Sequence, residues 1–75
     1  MQDVAQLIAS VLQVDPARLS DEDGVETLEQ WDSLRIVLLA SMIEVSYGLT
    51  LQSEEIDSLT SVRAVRAVLA RHGVA

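Results

Sequence analysis

The sequence contains no cysteine, a single histidine and a single proline, and its only aromatic residues are Trp31 and Tyr47. The absence of cysteine excludes disulfides and thiolate metal sites, so any thiol chemistry must come from a cofactor. Because aromatic residues are so few, the core must be built from valine, leucine, isoleucine and alanine. That composition suits helices packed on helices better than packed sheets, and we expect an all-α protein.

Other absences limit the possible functions. The lone histidine, His72, lies near the end of the chain, so no serine has an evident base beside it, and no metal cluster can be assembled. Three glycines do not form a phosphate-binding loop. The apolar run over residues 36–45 is shorter than the roughly 20 residues that span a bilayer, and no signal-peptide pattern is present. We expect no catalysis by this chain alone, no metal site, no membrane insertion and a cytoplasmic location.

The net charge of −7 is concentrated in the first half of the chain. Residues 1–34 carry eight acidic residues and one arginine, whereas residues 35–75 carry four acidic residues and four arginines. Such a field repels nucleic acid and anionic membranes and attracts basic protein surfaces. The plainer alternative is that the acidic residues only keep a loop soluble.

A length of 75 residues indicates one domain, over residues 1–75. We expect it to fold as a small four-helix bundle. Apolar spacing and caps predict helices over residues 3–14, 33–47 and about 61–72, and a brief helical turn over 54–57. The predicted N-caps are Asp3, Asp32, Ser53 and Thr60. The long connection over residues 15–31 contains a possible short turn at 16–19 and the acidic tract. The side chains of Val25 and Leu28 are expected to pack against the core and hold this loop in place.

The second helix has two apolar stripes. The stripe expected to be core contains Ile36, Leu39, Ala40, Ile43 and Tyr47, and the other contains Leu34, Val37, Leu38, Ser41 and Val45. A helix that is apolar nearly all round is either fully buried or binds something. Because so small a bundle cannot readily cover both stripes, we expect the second to be partly exposed as a partner site. The alternative is that the loop over 15–31 folds over it.

Ser33 stands directly before this apolar run. The ordinary explanation is that serine is favoured near a helix start. Alternatively, its hydroxyl is an acceptor, because a phosphate ester there would face free N–H groups and the positive end of the helix dipole. The neighbouring carboxylates of Glu29 and Asp32 would partly oppose that charge, although a modifying enzyme that brings Mg²⁺ could use them.

The sequence as a whole resembles an acyl or peptidyl carrier protein. The resemblance rests on "WDSL" at 31–34, the helix after it, the terminal Tyr47-Gly48, then "EEI" and "LTSV" before a last amphipathic helix. It implies that a separate, Mg²⁺-dependent phosphopantetheinyl transferase esterifies Ser33 with 4′-phosphopantetheine from coenzyme A. The arm would supply the missing thiol and carry an acyl or aminoacyl group as a thioester. Asp32 would cap the helix and help the transferase, and Leu34 would insert into the partner.

The resemblance also makes the second helix the main docking element. Its docking residues would be Arg35, Val37, Leu38, Ser41, Glu44 and Val45. Carriers of bacterial fatty-acid synthesis usually have an acidic residue after the "DSL" motif and several glutamates along this face. Here Arg35 follows the motif and only Glu44 remains, so docking should depend more on apolar contact than on ion pairs.

These departures and the preceding Trp31 favour a carrier of polyketide, nonribosomal-peptide or cell-surface glycan biosynthesis over housekeeping fatty-acid synthesis. Its partners would be the transferase, an acyl- or aminoacyl-loading enzyme, and downstream synthases or transferases. We expect a free-standing monomer, with an excised domain of a larger synthase as the alternative. The competing function is a helical interaction module that is never modified and docks through Val37, Leu38 and Val45. A helix-turn-helix DNA binder would need a basic face that the sequence lacks.

Overall fold

The computed structural model describes residues 4–74, which form four α-helices and one 3-10 turn. The elements are α1 (Val4–Leu12), a 3-10 turn (Pro16–Arg18), α2 (Ser33–Tyr47), α3 (Ser53–Asp57) and α4 (Val62–Arg71). Within this range β pairing is limited to one isolated bridge between Gly24 and Ser61. The predicted all-α architecture, with a short third helix and a long loop after the first, is confirmed. None of the helices described is both long and apolar enough to cross a bilayer.

The first helix ends at Leu12, two residues before the predicted end at residue 14. Gln13 adopts the left-handed region with φ 60°, and the N–H of Val14 donates to the carbonyl of Ala9 at 3.0 Å. This turn closes the helix before the proline, although a left-handed glutamine is uncommon. The cap predicted at Asp3 lies outside the described residues.

The bounds of α2 agree with the prediction. The carboxylate of Asp32 accepts a hydrogen bond from the N–H of Arg35 at 2.9 Å, which makes Asp32 the N-cap. At the other end, Gly48 is left-handed with φ 65°, and its N–H donates to the carbonyl of Glu44 at 3.0 Å. A glycine in this position ends a helix without the steric cost of a side chain.

The caps of the last two helices lie one residue away from those predicted. Helix α4 is capped by Ser61 and not by Thr60, because the Ser61 hydroxyl accepts an N–H of the first turn at 3.0 Å. Helix α3 is preceded by Gln52 as its cap residue and not by Ser53. The N–H of Gln52 donates to the Glu55 carboxylate at 2.9 Å, which holds this five-residue helix at its start.

The core is aliphatic apart from one indole. Its buried side chains are Val4, Leu7, Ile8, Ala9, Leu12, Trp31, Leu39, Ala40, Ile43, Leu51, Leu59, Val62, Val65, Val68 and Leu69. Ile36 and Tyr47 pack against this cluster, so the first apolar stripe of α2 is core, as predicted. The short helix and the loops contribute Ile56, Leu28 and Leu19 at the margin of the cluster.

The long loop is attached to the start of α4 through the backbone. The N–H groups of Val62 and Arg63 donate to the carbonyls of Asp23 and Asp21 at 2.9 and 3.1 Å. The first N–H groups of a helix have no acceptor within the helix, so the loop satisfies two donors that would otherwise need water. The loop is therefore ordered by α4 and not by its own sequence alone.

Acidic side chains reinforce this attachment. Glu22 pairs with Arg63, and Asp21 pairs with Arg66 at 3.2 Å. The Glu22–Arg63 pair is largely exposed and the Asp21–Arg66 pair nearly half exposed, so each contributes little free energy. Part of the negative charge of the first half of the chain is thus matched by arginines of the same molecule.

Asp23 organises the turn inside the loop. Its carboxylate accepts from the backbone N–H of Ser20 at 2.9 Å and from the hydroxyl of Thr27 at 3.0 Å. These two hydrogen bonds, that of Ser20 first, lower the pKa of Asp23. Their stabilisation is present above the ordinary aspartate pKa of about 4 and is lost only as the pH falls further.

Of the two loop side chains that were expected to pack against the core, only that of Leu28 does so. Leu28 packs against the core, but Val25 is exposed, and the prediction for Val25 is wrong. The N–H of Val25 donates to the carbonyl of Thr60 at 3.0 Å, in a turn that begins beside the Gly24–Ser61 bridge. The backbone and not the Val25 side chain makes the contact with the rest of the fold.

Gly24 permits the close approach between this loop and the segment before α4. A Cβ at this position would lie 2.1 Å from the carbonyl oxygen of Thr60 and 2.8 Å from the Cα of Ser61. We expect Gly24→Ala to lower the free energy of unfolding by about 1–3 kcal/mol, because backbone atoms must move to admit the methyl group. Urea denaturation would measure the change, with the exposed Glu26→Ala as the control in the same loop. Equal stability of Gly24→Ala and the parent chain would contradict this role.

Candidate functional site

Ser33 is the first residue of α2, and its side chain is exposed. No group of residues 4–74 makes a hydrogen bond with its hydroxyl. Other serines are used by the fold: the hydroxyls of Ser20 and Ser58 donate to Asp23 and to the Glu55 carbonyl, at 3.4 and 2.7 Å. The hydroxyl of Ser33 is therefore available for chemistry without loss of a structural contact.

The backbone around Ser33 favours a negatively charged group. Asp32 satisfies the N–H of Arg35, but the N–H groups of Ser33 and Leu34 have no acceptor within the described part of the chain. These donors stand at the positive end of the α2 dipole. A phosphate ester on Ser33 would fit this position, because free helix N–H groups bind phosphate oxygens.

The segment that contains Ser33 is tied to two other parts of the fold. The indole Nε1 of Trp31 donates to the carbonyl of Leu59 at 2.8 Å, in the link between α3 and α4. The guanidinium of Arg35 donates to the carbonyl of Val11, in the last turn of α1, at 3.2 Å. Ser33 thus lies midway between two residues that hold the start of α2.

The second stripe of α2 is exposed, as predicted, and the alternative that the loop covers it is wrong. Of the six large hydrophobic side chains exposed in residues 4–74, five belong to α2: Leu34, Val37, Leu38, Met42 and Val45. Ser41 is exposed with them. Met42 was not predicted, although it is four residues after Leu38 and the helical period places it on the same face.

The two charged residues of α2 make contacts within the chain. Arg35 is partly buried and bonded to Val11, as described above. Glu44 is partly buried, and its carboxylate accepts from the N–H of Leu51 at 2.8 Å, which holds the link to α3. The docking role suggested for both residues stays a prediction, and the exposed apolar face itself carries no charged side chain.

Acidic side chains close to the start of α2 do not form a preformed metal site. Glu26 and Glu29 are exposed, and Asp32 is engaged as the cap. In residues 4–74 no three histidine or acidic side chains converge as metal ligands would. His72 pairs with Glu55, at 2.8 Å between Nε2 and Oε2.

Comparison with known proteins identifies the family. The family model described as "Phosphopantetheine attachment site" matches residues 2–73. The chain belongs to the phosphopantetheine attachment site family. No curated protein matches the sequence at a significant level. Members of the family bind 4′-phosphopantetheine covalently on a serine, act generally as non-catalytic carriers of acyl groups, and interact with phosphopantetheinyl transferases and partner enzymes.

The described residues suit the phosphopantetheine arm of this family. The arm joins a serine through a phosphodiester, which carries one negative charge. Ser33 offers an exposed hydroxyl with no partner in residues 4–74, and the N–H groups of Ser33 and Leu34 could hold the phosphate oxygens. When bound, the arm supplies the thiol that the chain lacks.

Proposed function

We propose that this chain is an acyl carrier protein whose attachment residue is Ser33. On the arm it carries acyl or aminoacyl intermediates as thioesters to the enzymes of a biosynthetic pathway. The observation that carries the proposal is the exposed Ser33 hydroxyl at the start of α2, which has no hydrogen-bond partner in residues 4–74, in a family that attaches the arm to a serine.

Three residues of the "DSL" motif take separate roles. Asp32 caps α2 and so keeps Ser33 at the first helical position. The unpaired N–H groups of Ser33 and Leu34 favour the negative phosphodiester over the neutral hydroxyl side chain. The side chain of Leu34 is 65% exposed beside the attachment point, where a partner enzyme can bury it.

The exposed face of α2 is the proposed docking surface. It contains Leu34, Val37, Leu38, Ser41, Met42 and Val45. Because Arg35 and Glu44 are engaged within the fold, apolar contact should dominate docking to the transferase, the loading enzyme and the downstream synthases. The absence of free acids on this face supports a role in polyketide, nonribosomal-peptide or glycan biosynthesis over fatty-acid synthesis.

Intact mass spectrometry tests the carrier function directly. The chain is incubated with coenzyme A, Mg²⁺ and a broad-specificity phosphopantetheinyl transferase. The expected result is a gain of one phosphopantetheine group per chain. A protein that is folded by circular dichroism but gains no mass would overturn the proposal, and would favour an unmodified interaction module that uses the same apolar face.

Leu38→Asp should weaken docking more than folding. We expect kcat/KM for loading by the transferase to fall about tenfold, equivalent to ~1.4 kcal/mol, because the apolar contact is replaced by a charge that must be desolvated. The free energy of unfolding should change little, since Leu38 is 46% exposed. The matched control is Ala67→Asp, which places the same charge at an exposed position of α4. A large loss of stability in Leu38→Asp would show that this side chain belongs to the core.

A further inference from the structure

We infer that Trp31 and Arg35 are positioning residues that hold Ser33 for attachment of the arm, an inference that rests on the proposed carrier function. They lie two residues before and two residues after Ser33. Each donates from its side chain to a backbone carbonyl of another element, Trp31 to Leu59 and Arg35 to Val11. The start of α2 is thereby fastened on one side to the α3–α4 link and on the other to α1.

The contact of Arg35 meets a specific need of α1. The last four carbonyls of a helix have no donor within the helix, and Val11 is in the last turn of α1. That turn contains no basic residue of its own, so Arg35 supplies both a donor and a positive charge at the negative end of the α1 dipole. The side chain is partly buried in this position, and one guanidinium N–H is directed to the chain's own backbone.

The hydrogen bond of Trp31 is more deeply buried than that of Arg35. Its side chain is 2% exposed, and Leu59, which provides the acceptor, is fully buried. A hydrogen bond of 2.8 Å in such a place is costly to break, because the N–H and the carbonyl would each lose a partner away from water. Trp31 therefore sets the position at which the chain enters α2.

Between these two residues, Ser33 is held by the backbone alone. Its hydroxyl and its N–H have no partner in residues 4–74, and its side chain is exposed. Attack of a hydroxyl on a phosphate requires alignment of the reacting atoms, and errors of about 1 Å can cost up to about 100-fold in rate. Restriction of the α2 start by Trp31 and Arg35 would lower the entropy lost when the transferase aligns Ser33.

Arg35→Met tests the inference with the conservative Arg35→Lys beside it. We expect the amides of Arg35 and Ile36, both bonded to Asp32, to exchange hydrogen about tenfold faster in Arg35→Met, equivalent to ~1.4 kcal/mol of lost protection. For loading of the apo protein by the transferase, kcat should fall about three- to tenfold while KM changes less than about twofold. Lysine keeps a donor and a charge and should restore most of the rate.

Arg18→Met is the matched control, since the side chain of Arg18 is exposed and makes no hydrogen bond or ion pair with residues 4–74. It should match the parent chain in both measurements. Trp31→Phe removes the second hydrogen bond while it keeps an aromatic ring, and it should act in the same direction as Arg35→Met. If Trp31→Phe fails to fold, the comparison of Arg35→Met with Arg35→Lys decides alone.

Two results would distinguish failure of the positioning role from failure of the carrier function. If Arg35→Met raises KM with unchanged kcat and unchanged exchange, Arg35 contacts the transferase directly and the positioning role is overturned. If the parent chain itself is never loaded, the carrier function fails, and the positioning role fails with it.

Discussion

Ser33→Ala should gain no mass under conditions in which the parent chain is loaded completely. The substitution removes the only atom to which the proposed phosphodiester can be joined at this position. It should leave the fold intact, because the Ser33 hydroxyl makes no hydrogen bond with residues 4–74 and is exposed. We expect the free energy of unfolding to change by no more than about 0.5 kcal/mol, as is usual for such surface positions. Intact mass and urea denaturation measure the two quantities.

Ser53→Ala is the matched control for this experiment. Ser53 is also an exposed serine at the first position of a helix, α3, but it lacks the flanking "DSL" motif. This variant should be loaded as fully as the parent chain. Loading of Ser33→Ala would move the attachment to another serine and overturn the assignment, whereas an unfolded Ser33→Ala protein would show that the hydroxyl is structural.

Local signals were sufficient to predict α2 and the position of Ser33. An aspartate before the helix and a glycine after it are strong terminal signals, and each makes the expected contact. Periodicity alone was also sufficient to predict which apolar stripe of α2 is buried and which is exposed. A helix at the surface of a small bundle can bury only one of its sides.

The cap of α4 was misplaced because several neighbouring residues can cap. In the run over residues 58–61 three side chains carry hydroxyls, and local sequence does not choose among them. The choice is made by the long loop, since the Thr60 carbonyl accepts from Val25 and the bridge to Gly24 fixes Ser61. The end of α1 depends on a left-handed Gln13, for which the sequence offers no local signal.

The charged residues of α2 could not be assigned from sequence for a similar reason. Arg35 and Glu44 were predicted as docking residues from their place on the helix. Their acceptor and donor, the Val11 carbonyl and the Leu51 N–H, are backbone groups whose positions depend on how the helices pack. A sequence pattern identifies which side of a helix faces the core, but it does not locate unpaired backbone groups of another element.

The largest effect on stability is expected from Ile43→Ala. Ile43 is fully buried in the core, and its truncation should lower the free energy of unfolding by about 2–5 kcal/mol through lost apolar burial and the cavity left behind. A chain of this size is stabilised by only about 4–11 kcal/mol, so we expect the variant to lose about half of its stability. Urea denaturation or a thermal melt followed by circular dichroism measures the loss.

Val45→Ala is the matched comparison two residues later on the same helix. Val45 is 81% exposed, so we expect its truncation to change the free energy of unfolding by less than about 0.5 kcal/mol. The substitution should instead lower the rate of loading by the transferase, because the lost methyl groups belong to the proposed docking surface. Helix α2 would thus be divided into a side that holds the fold together and a side reserved for partner enzymes. Equal destabilisation by the two substitutions would contradict that division, since it would place both side chains in the core.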